Sequence, residues 1–498
     1  MKFFFIFIAL IFITDVAPAQ TAPSDTASLP KLSLQQMYHD YDVLVKTLLE
    51  ISPQYEFRKK ITGTDIHVFY RENRKKIKSI KSHEAFYRLI RTLITANQDS
   101  HTSVLRADYM PPAMFKQFGV SDSAISNLKG YTYFYNNINN GNHLNFQFRY
   151  INGKYYNVVP FTYRGKYYKS GLEITSCNGL PIKQYVNSLY PYLVMKWDFV
   201  HHTYFADAFF KSFNLSSTDH LTLNFKGDAT PRRFMVGDSV ILANKAVAVA
   251  PKIKKFIWFA DQKILYIRMP AMEIADTDYY ANEILKYRDY KINKIVIDIR
   301  DNGGGSDYVW RRLVSNLITE PIIYNVVTLA NRNDRVIKLL KGQFDVKSTI
   351  KVPFLNNLEF YADNTQTDTI PMSKSSIKFN GKVFILQNKN NYSSAGAFLA
   401  IGNRVKSFYT LGEPTGTQLG LGVNPLINEL PESGIVYRVE PIIEYSGVKT
   451  PDDIFHNKVK IPVILTLQNV QDMIQATDRY SESFLLNKDP LFRKVLSE

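Results

Sequence analysis

The 498 residues carry 61 Lys+Arg against 45 Asp+Glu, a formal net charge of +16 at pH 7. With 45% hydrophobic and 21% charged residues the composition is that of a globular protein, which excludes a disordered or collagen-like chain. A single cysteine, Cys177, excludes an intrachain disulfide and a cysteine-based metal cluster. At this length roughly three folding units of about 150 residues are expected.

Met1-Lys2 is followed by an unbroken apolar run from Phe3 to Ile13. That run is too short for a bilayer, which needs roughly 20 residues. Small residues at Ala17 and Ala19 complete a secretory signal peptide over 1–19, with cleavage expected after Ala19. No cysteine follows to take a lipid, and no later segment is long and apolar enough to span. The expectation is therefore an exported, soluble protein, periplasmic or extracellular, with no stable membrane insertion. Cleavage removes Lys2 and Asp15, which cancel, so the charge stays at +16. Export also weakens a nucleic-acid reading of that charge, and no nucleic-acid partner is expected.

Residues 20–31 read as a flexible leader. Met37, Tyr41, Leu44, Val45, Leu48 and Leu49 then recur at helical spacing, and two further helical stretches follow around Phe69–Ile80 and Phe86–Ala96. Together they predict a helical unit over 32–118. Around Tyr131 the period reads as two, and 119–245 is expected to be β-rich. Asn152-Gly153 marks a type I′ hairpin, Arg164-Gly165 a second turn, and Ile182–Leu193 one helix. From about Lys252 strands alternate with helices, which predicts an α/β unit with a largely parallel sheet over 246–498. Cys177 is expected to pack as a small buried hydrophobe. His201-His202 lack further ligands at metal spacing, so neither a metal nor a cofactor is expected.

Two strand-to-helix loops carry the candidate chemistry. Asp301-Asn302-Gly303-Gly304-Gly305-Ser306 follows the Ile295–Arg300 strand; its glycines can aim backbone amides at an oxyanion in front of a helix. Asn391-Tyr392-Ser393-Ser394-Ala395-Gly396-Ala397 follows the Val383–Leu386 strand and offers a hydroxyl at a helix start. One loop supplying amides and another a hydroxyl is what acyl transfer requires.

These loops resemble those of the C-terminal-processing (tail-specific) serine peptidase family, especially its tricorn-core and interphotoreceptor retinoid-binding branch. The family's Asp-x-Arg-x-Asn-x-Gly-Gly matches Asp298 through Gly305, its nucleophile motif matches Ser394-Ala395, and Gly412-Glu413-Pro414-Thr415-Gly416 is a looser match. The resemblance implies a crotonase/Clp-protease-like α/β catalytic domain with an N-terminal helical unit. Gly171–Ile182 resembles a segment of peptide-clamping PDZ-like domains, which assigns the β-rich middle. The lysine base of the processing branch has no counterpart in Gly416-Thr-Gln418-Leu-Gly-Leu-Gly. Gln98-Asp99-Ser100-His101-Thr102 instead resembles the histidine segment of the tricorn branch, and a neutral imidazole is a suitable base near pH 7.

The resemblance thus implies Ser394 as nucleophile with His101 in hydrogen-bonding reach as base. Amides of Ala395 and Gly304 or Gly305 would form the oxyanion hole, and Glu444 with Ser100 would position the imidazole. Ala397 departs from the processing branch, which has a glutamate there. A peptide or protein is the expected substrate. The alternatives are a catalytically silent peptide- or ligand-binding protein on the same fold, and a polyanion binder suggested only by the charge.

Overall fold

The computed structural model describes residues 26, 29–140, 144–242, 253–340, 342, 344–416, 426–455 and 458–498. The signal peptide and the segment around Gln418 lie outside them. The helical part holds Leu34–Ile51, Gln54–Thr62, Ile66–Arg74 and His83–Thr95. Ser33 caps the first of these, its Oγ accepting from Gln36 N while Gln36 returns a bond to Ser33 N. Tyr41, Leu44, Leu48 and Ile51 form its buried stripe.

The helices run further than the sequence reading placed them. Asp122–Asn140 is a helix, not the start of the β-rich region. Ala124, Leu128, Tyr131, Phe134 and Ile138 are its buried residues, and their spacing of three and four is helical. The dense aromatics between them had masked that period.

The β-rich part is built on the strand order Arg232–Met235, His220–Phe225, Glu173–Cys177, Lys154–Asn157 and Phe148–Ile151. Asn152 and Gly153 both have positive φ, 45° and 80°, which gives the expected type I′ hairpin between Phe148–Ile151 and Lys154–Asn157. Phe146, Phe148, Phe161, Phe209, Phe210 and Phe234 pack its core, which accounts for much of the chain's aromatic content. Cys177 is fully buried among them, and burial pushes its thiol up to about 12.

The α/β part centres on six strands in the order Lys255–Phe259, Ile264–Arg268, Lys294–Asp298, Lys382–Gln387, Phe408–Gly412 and Ile461–Pro462. The first pair is antiparallel and the rest are parallel. Ile295, Ile297, Val383 and Ile385 pack with the helices Thr277–Leu285, Asp307–Ser315 and Ser394–Arg404. Val296, Phe384 and Leu386 pack with Leu491, Phe492 and Val495 of the Pro490–Ser497 helix. Both faces are covered, which is why these strands read as continuous apolar runs. A second sheet has the strand order Ser348–Val352, Leu358–Ile370, Ile322–Asn331 and Ile442–Glu444, inserted in sequence between strands of the first. No described helix is long and apolar enough to cross a membrane.

Candidate active site

The site starts at the carboxyl ends of two neighbouring parallel strands, Lys294–Asp298 and Lys382–Gln387. Below the glycine loop, Asp298 is fully buried. It accepts from Tyr266 Oη at 2.7 Å and from Arg300 Nη2 at 2.6 Å, and Arg300 Nη1 reaches Asp489 at 2.8 Å. Burial works against this carboxylate, but the charges of Arg300 and Arg268 and the hydrogen bonds from Arg300 and Tyr266 hold it down at about 2. The Asp-x-Arg pair of the motif is thus a buried ionic support for the loop.

Asparagines stitch the two loops together. Asn302 Oδ1 accepts from Gly304 N at 2.8 Å, Asn391 Nδ2 donates to Ile299 O, and Tyr392 N donates to Asn302 O at 3.3 Å. Gly304 has φ +105°, and a Cβ there would lie 2.6 Å from Ser393 Cβ and 2.9 Å from Ser394 N. Only glycine admits the serine turn this close.

The two serines have different environments. Ser394, the expected nucleophile, is 5% exposed; its Oγ donates to Asp307 Oδ1 at 2.5 Å and lies 3.1 Å from Met272 Sδ. Its hydroxyl is therefore committed to Asp307 rather than to His101. Burial raises the Asp307 carboxyl, and the bonds from Ser394 and Trp310 partly offset this. Ser393 immediately precedes the Ser394–Arg404 helix with φ 54° and ψ −129°, a strained conformation for a residue with a Cβ. A serine held so at a strand-to-helix turn is the geometry of a nucleophile elbow.

Two of the expected oxyanion donors already have acceptors. Ala395 N donates to Tyr392 O at 3.2 Å, and Gly304 N is taken by Asn302. Gly305, with φ +133°, packs against the Met272 carbonyl, 2.1 Å from where a Cβ would stand. The amide that follows Ser393 is that of Ser394, the first residue of the helix.

The histidine comes from far upstream. Ser103–Val104 pairs antiparallel with Val436–Val439, with Ser103 opposite Arg438. This short pairing brings His101 beside Glu440. His101 Nδ1 lies 3.3 Å from Glu440 Oε2, with the two side chains 12% and 2% exposed. Thr102 Oγ1 accepts from Glu440 N at 3.1 Å. Burial raises the Glu440 carboxyl, and His101 partly offsets that.

Glu444 is not in this constellation. Its carboxylate accepts from Arg404 Nη2 at 3.0 Å and from Ser446 N at 3.0 Å, on a strand paired with Ile322–Asn331. The Ser103–Val104 pairing instead brings Glu440, four residues before Glu444, beside His101. Ser100 is exposed, and its carbonyl accepts from Arg438 Nη2 at 2.9 Å. It bears on the histidine turn through its backbone. The motif match points to Ser394, whereas the positive φ of the turn singles out Ser393.

Residues 263–452 match the model of peptidase family S41, a segment holding both loops, Ser393 and Glu440. Over that segment the chain is similar to the S41 serine peptidases. This agrees with the resemblance read from its loops. Its fold is similar to that of mature CPAF, with a TM-score of 0.55 at 13% identity over 93% of this chain and 98% of that one. CPAF complexed with lactacystin gives 0.52 at 12% identity over 93% and 97%. The photosystem II D1 C-terminal processing protease gives 0.39 at 12% identity over 90% and 99%. No curated protein sequence matches the chain. The match supports a serine peptidase, a class of enzyme that acts on peptide or protein substrates.

Proposed function

We propose that this S41 peptidase is exported and cleaves peptide bonds through an acyl-enzyme on Ser393, with His101 as general base and Glu440 as its orienting carboxylate. The observation that carries the assignment is the Ser393 backbone at φ 54°, ψ −129°, one residue after Tyr392, whose ring packs on the imidazole of the His101–Glu440 pair.

Glu440 on Nδ1 favours the neutral tautomer whose Nε2 carries the free lone pair. Ser393 Oγ attacks the scissile carbonyl carbon as His101 Nε2 takes its proton. The oxyanion is met by the Ser394 amide at the positive end of the helix. The C–N bond then breaks as the imidazolium protonates the leaving amine. Water, deprotonated by the same imidazole, hydrolyses the ester and frees Ser393.

A fluorophosphonate probe is expected to label the wild type and Ser394→Ala but not Ser393→Ala. Labelling that survives in Ser393→Ala and disappears in Ser394→Ala would return the role to Ser394. An unlabelled wild type that still binds peptide saturably would favour the binding-only reading. Export predicts a purified chain beginning at Gln20, read by intact mass; retention of residues 1–19 in the extracytoplasmic fraction would contradict cleavage after Ala19.

A further inference from the structure

Tyr392 stands between the nucleophile turn and the histidine turn and is bonded to both. It directly precedes Ser393, and its ring centroid lies 4.9 Å from that of His101 at a 43° tilt. Its Oη donates to Asp99 Oδ1 at 2.9 Å. Asp99 in turn organises the histidine turn: Oδ1 accepts from His101 N at 3.1 Å, and Oδ2 accepts from Thr102 Oγ1 at 3.0 Å. Asp99 is 3% exposed, so this carboxylate serves an internal network rather than solvent.

The chain has other means of holding these loops. Asparagines join the serine loop to the glycine loop, and Arg438 holds Ser100 O and Ser103 Oγ on the histidine side. The Tyr392–Asp99 bond differs because it crosses between the two sides, over 293 positions of sequence. The two reacting groups belong to separate units, and an error of about 1 Å in their approach can cost roughly 100-fold in rate.

Resting on the Ser393 assignment above, we infer that Tyr392 and Asp99 are positioning residues that set the approach of the His101 imidazole to the Ser393 hydroxyl. The Tyr392 ring braces the imidazole while its hydroxyl ties the serine turn to the residue that caps the histidine turn. The ionisable groups facing His101 are Asp99, Glu440 and the Tyr392 hydroxyl, with Arg438 held on the Ser100 carbonyl. Interactions with His101 and Arg58 outweigh burial and keep the Asp99 carboxyl below the usual carboxylate range, so a negative charge stands beside the imidazole ring.

The test is the rate of fluorophosphonate labelling across pH in the full chain, with thermal melting alongside. Tyr392→Phe keeps the ring and removes the bond; it is expected to label about tenfold or more slowly, with a melting temperature close to wild type. Asp99→Asn should also slow labelling and move the midpoint of the pH–rate profile to lower pH. Wild-type rates in both variants, or a rate loss that only tracks loss of folded protein, would overturn the inference. An unchanged midpoint in Asp99→Asn would overturn the role of its charge. Failure of the underlying assignment is seen separately, as an unlabelled wild type or a labelled Ser393→Ala.

Discussion

Glu440 and Glu444 occupy neighbouring positions on one length of chain, yet a fully buried carboxylate beside an imidazole and one paired with a surface guanidinium do different work. Glu440→Gln removes the acceptor that favours the productive tautomer, and labelling of Ser393 should fall by roughly 10²–10⁴-fold. Glu444→Gln should leave labelling within about twofold and cost less than about 1 kcal/mol, because Arg404 is partly exposed. Equal losses in the two variants would contradict the assignment. Ser394→Ala leaves the Asp307 carboxyl with Trp310 Nε1 as its remaining donor at 3.1 Å. It should destabilise the protein by about 1–3 kcal/mol, read from urea unfolding, without abolishing labelling.

At the scale of elements, the glycine loop and the serine turn act as one body. Gly304→Ala would require positive φ from an alanine and would drive its Cβ into Ser393 Cβ. The expected result is loss of labelling together with lower stability. Gly303→Ala meets nothing within 4 Å and has ordinary φ, so it should behave as wild type. A labelled, stable Gly304→Ala would show that the loops are not in register as described. The elements themselves were largely legible from pattern. Ile295-Val-Ile-Asp-Ile and Val383-Phe-Ile-Leu announced buried parallel strands, and Asn152-Gly153 announced its hairpin. Asp122–Asn140 was not legible, because Tyr131, Tyr133, Phe134 and Tyr135 fill both faces of any periodic reading.

Across the whole molecule, a half-buried ion pair and a hydrogen bond tie the serine loop to the β-rich part. Lys389, in the serine loop, lies 3.1 Å from Asp207 of the β-rich part and donates to Tyr150 O at 2.6 Å. Lys196 of that part donates to Asn390 Oδ1, and burial lowers its ammonium to about 8. Lys389→Met leaves Asp207 without this partner and is expected to cost about 3 kcal/mol in urea unfolding. A stability unchanged from wild type would deny the pair its role. The Asp298 support predicts an acid limit. Its folded pKa is depressed to about 2 from an ordinary value of 3.8, so its contribution is complete above about pH 4. It is lost as pH falls towards 2, by about 2 kcal/mol in all. The urea midpoint should fall across that window, and a flat midpoint would refute the assignment.

The sequence by itself determined the three kinds of structure, the two strand-end loops and the histidine that could meet them, because periodicity, glycine runs and motif order are local properties. Which of two adjacent serines takes the strained turn, and which glutamate lies beside the histidine, was decided only in three dimensions. The Ser393 turn packs against Gly304 of a loop that comes far earlier in the chain. The partner of His101 is set by a two-residue strand pairing that joins positions more than 330 apart. Both are consequences of chain closure, and no local spacing encodes them.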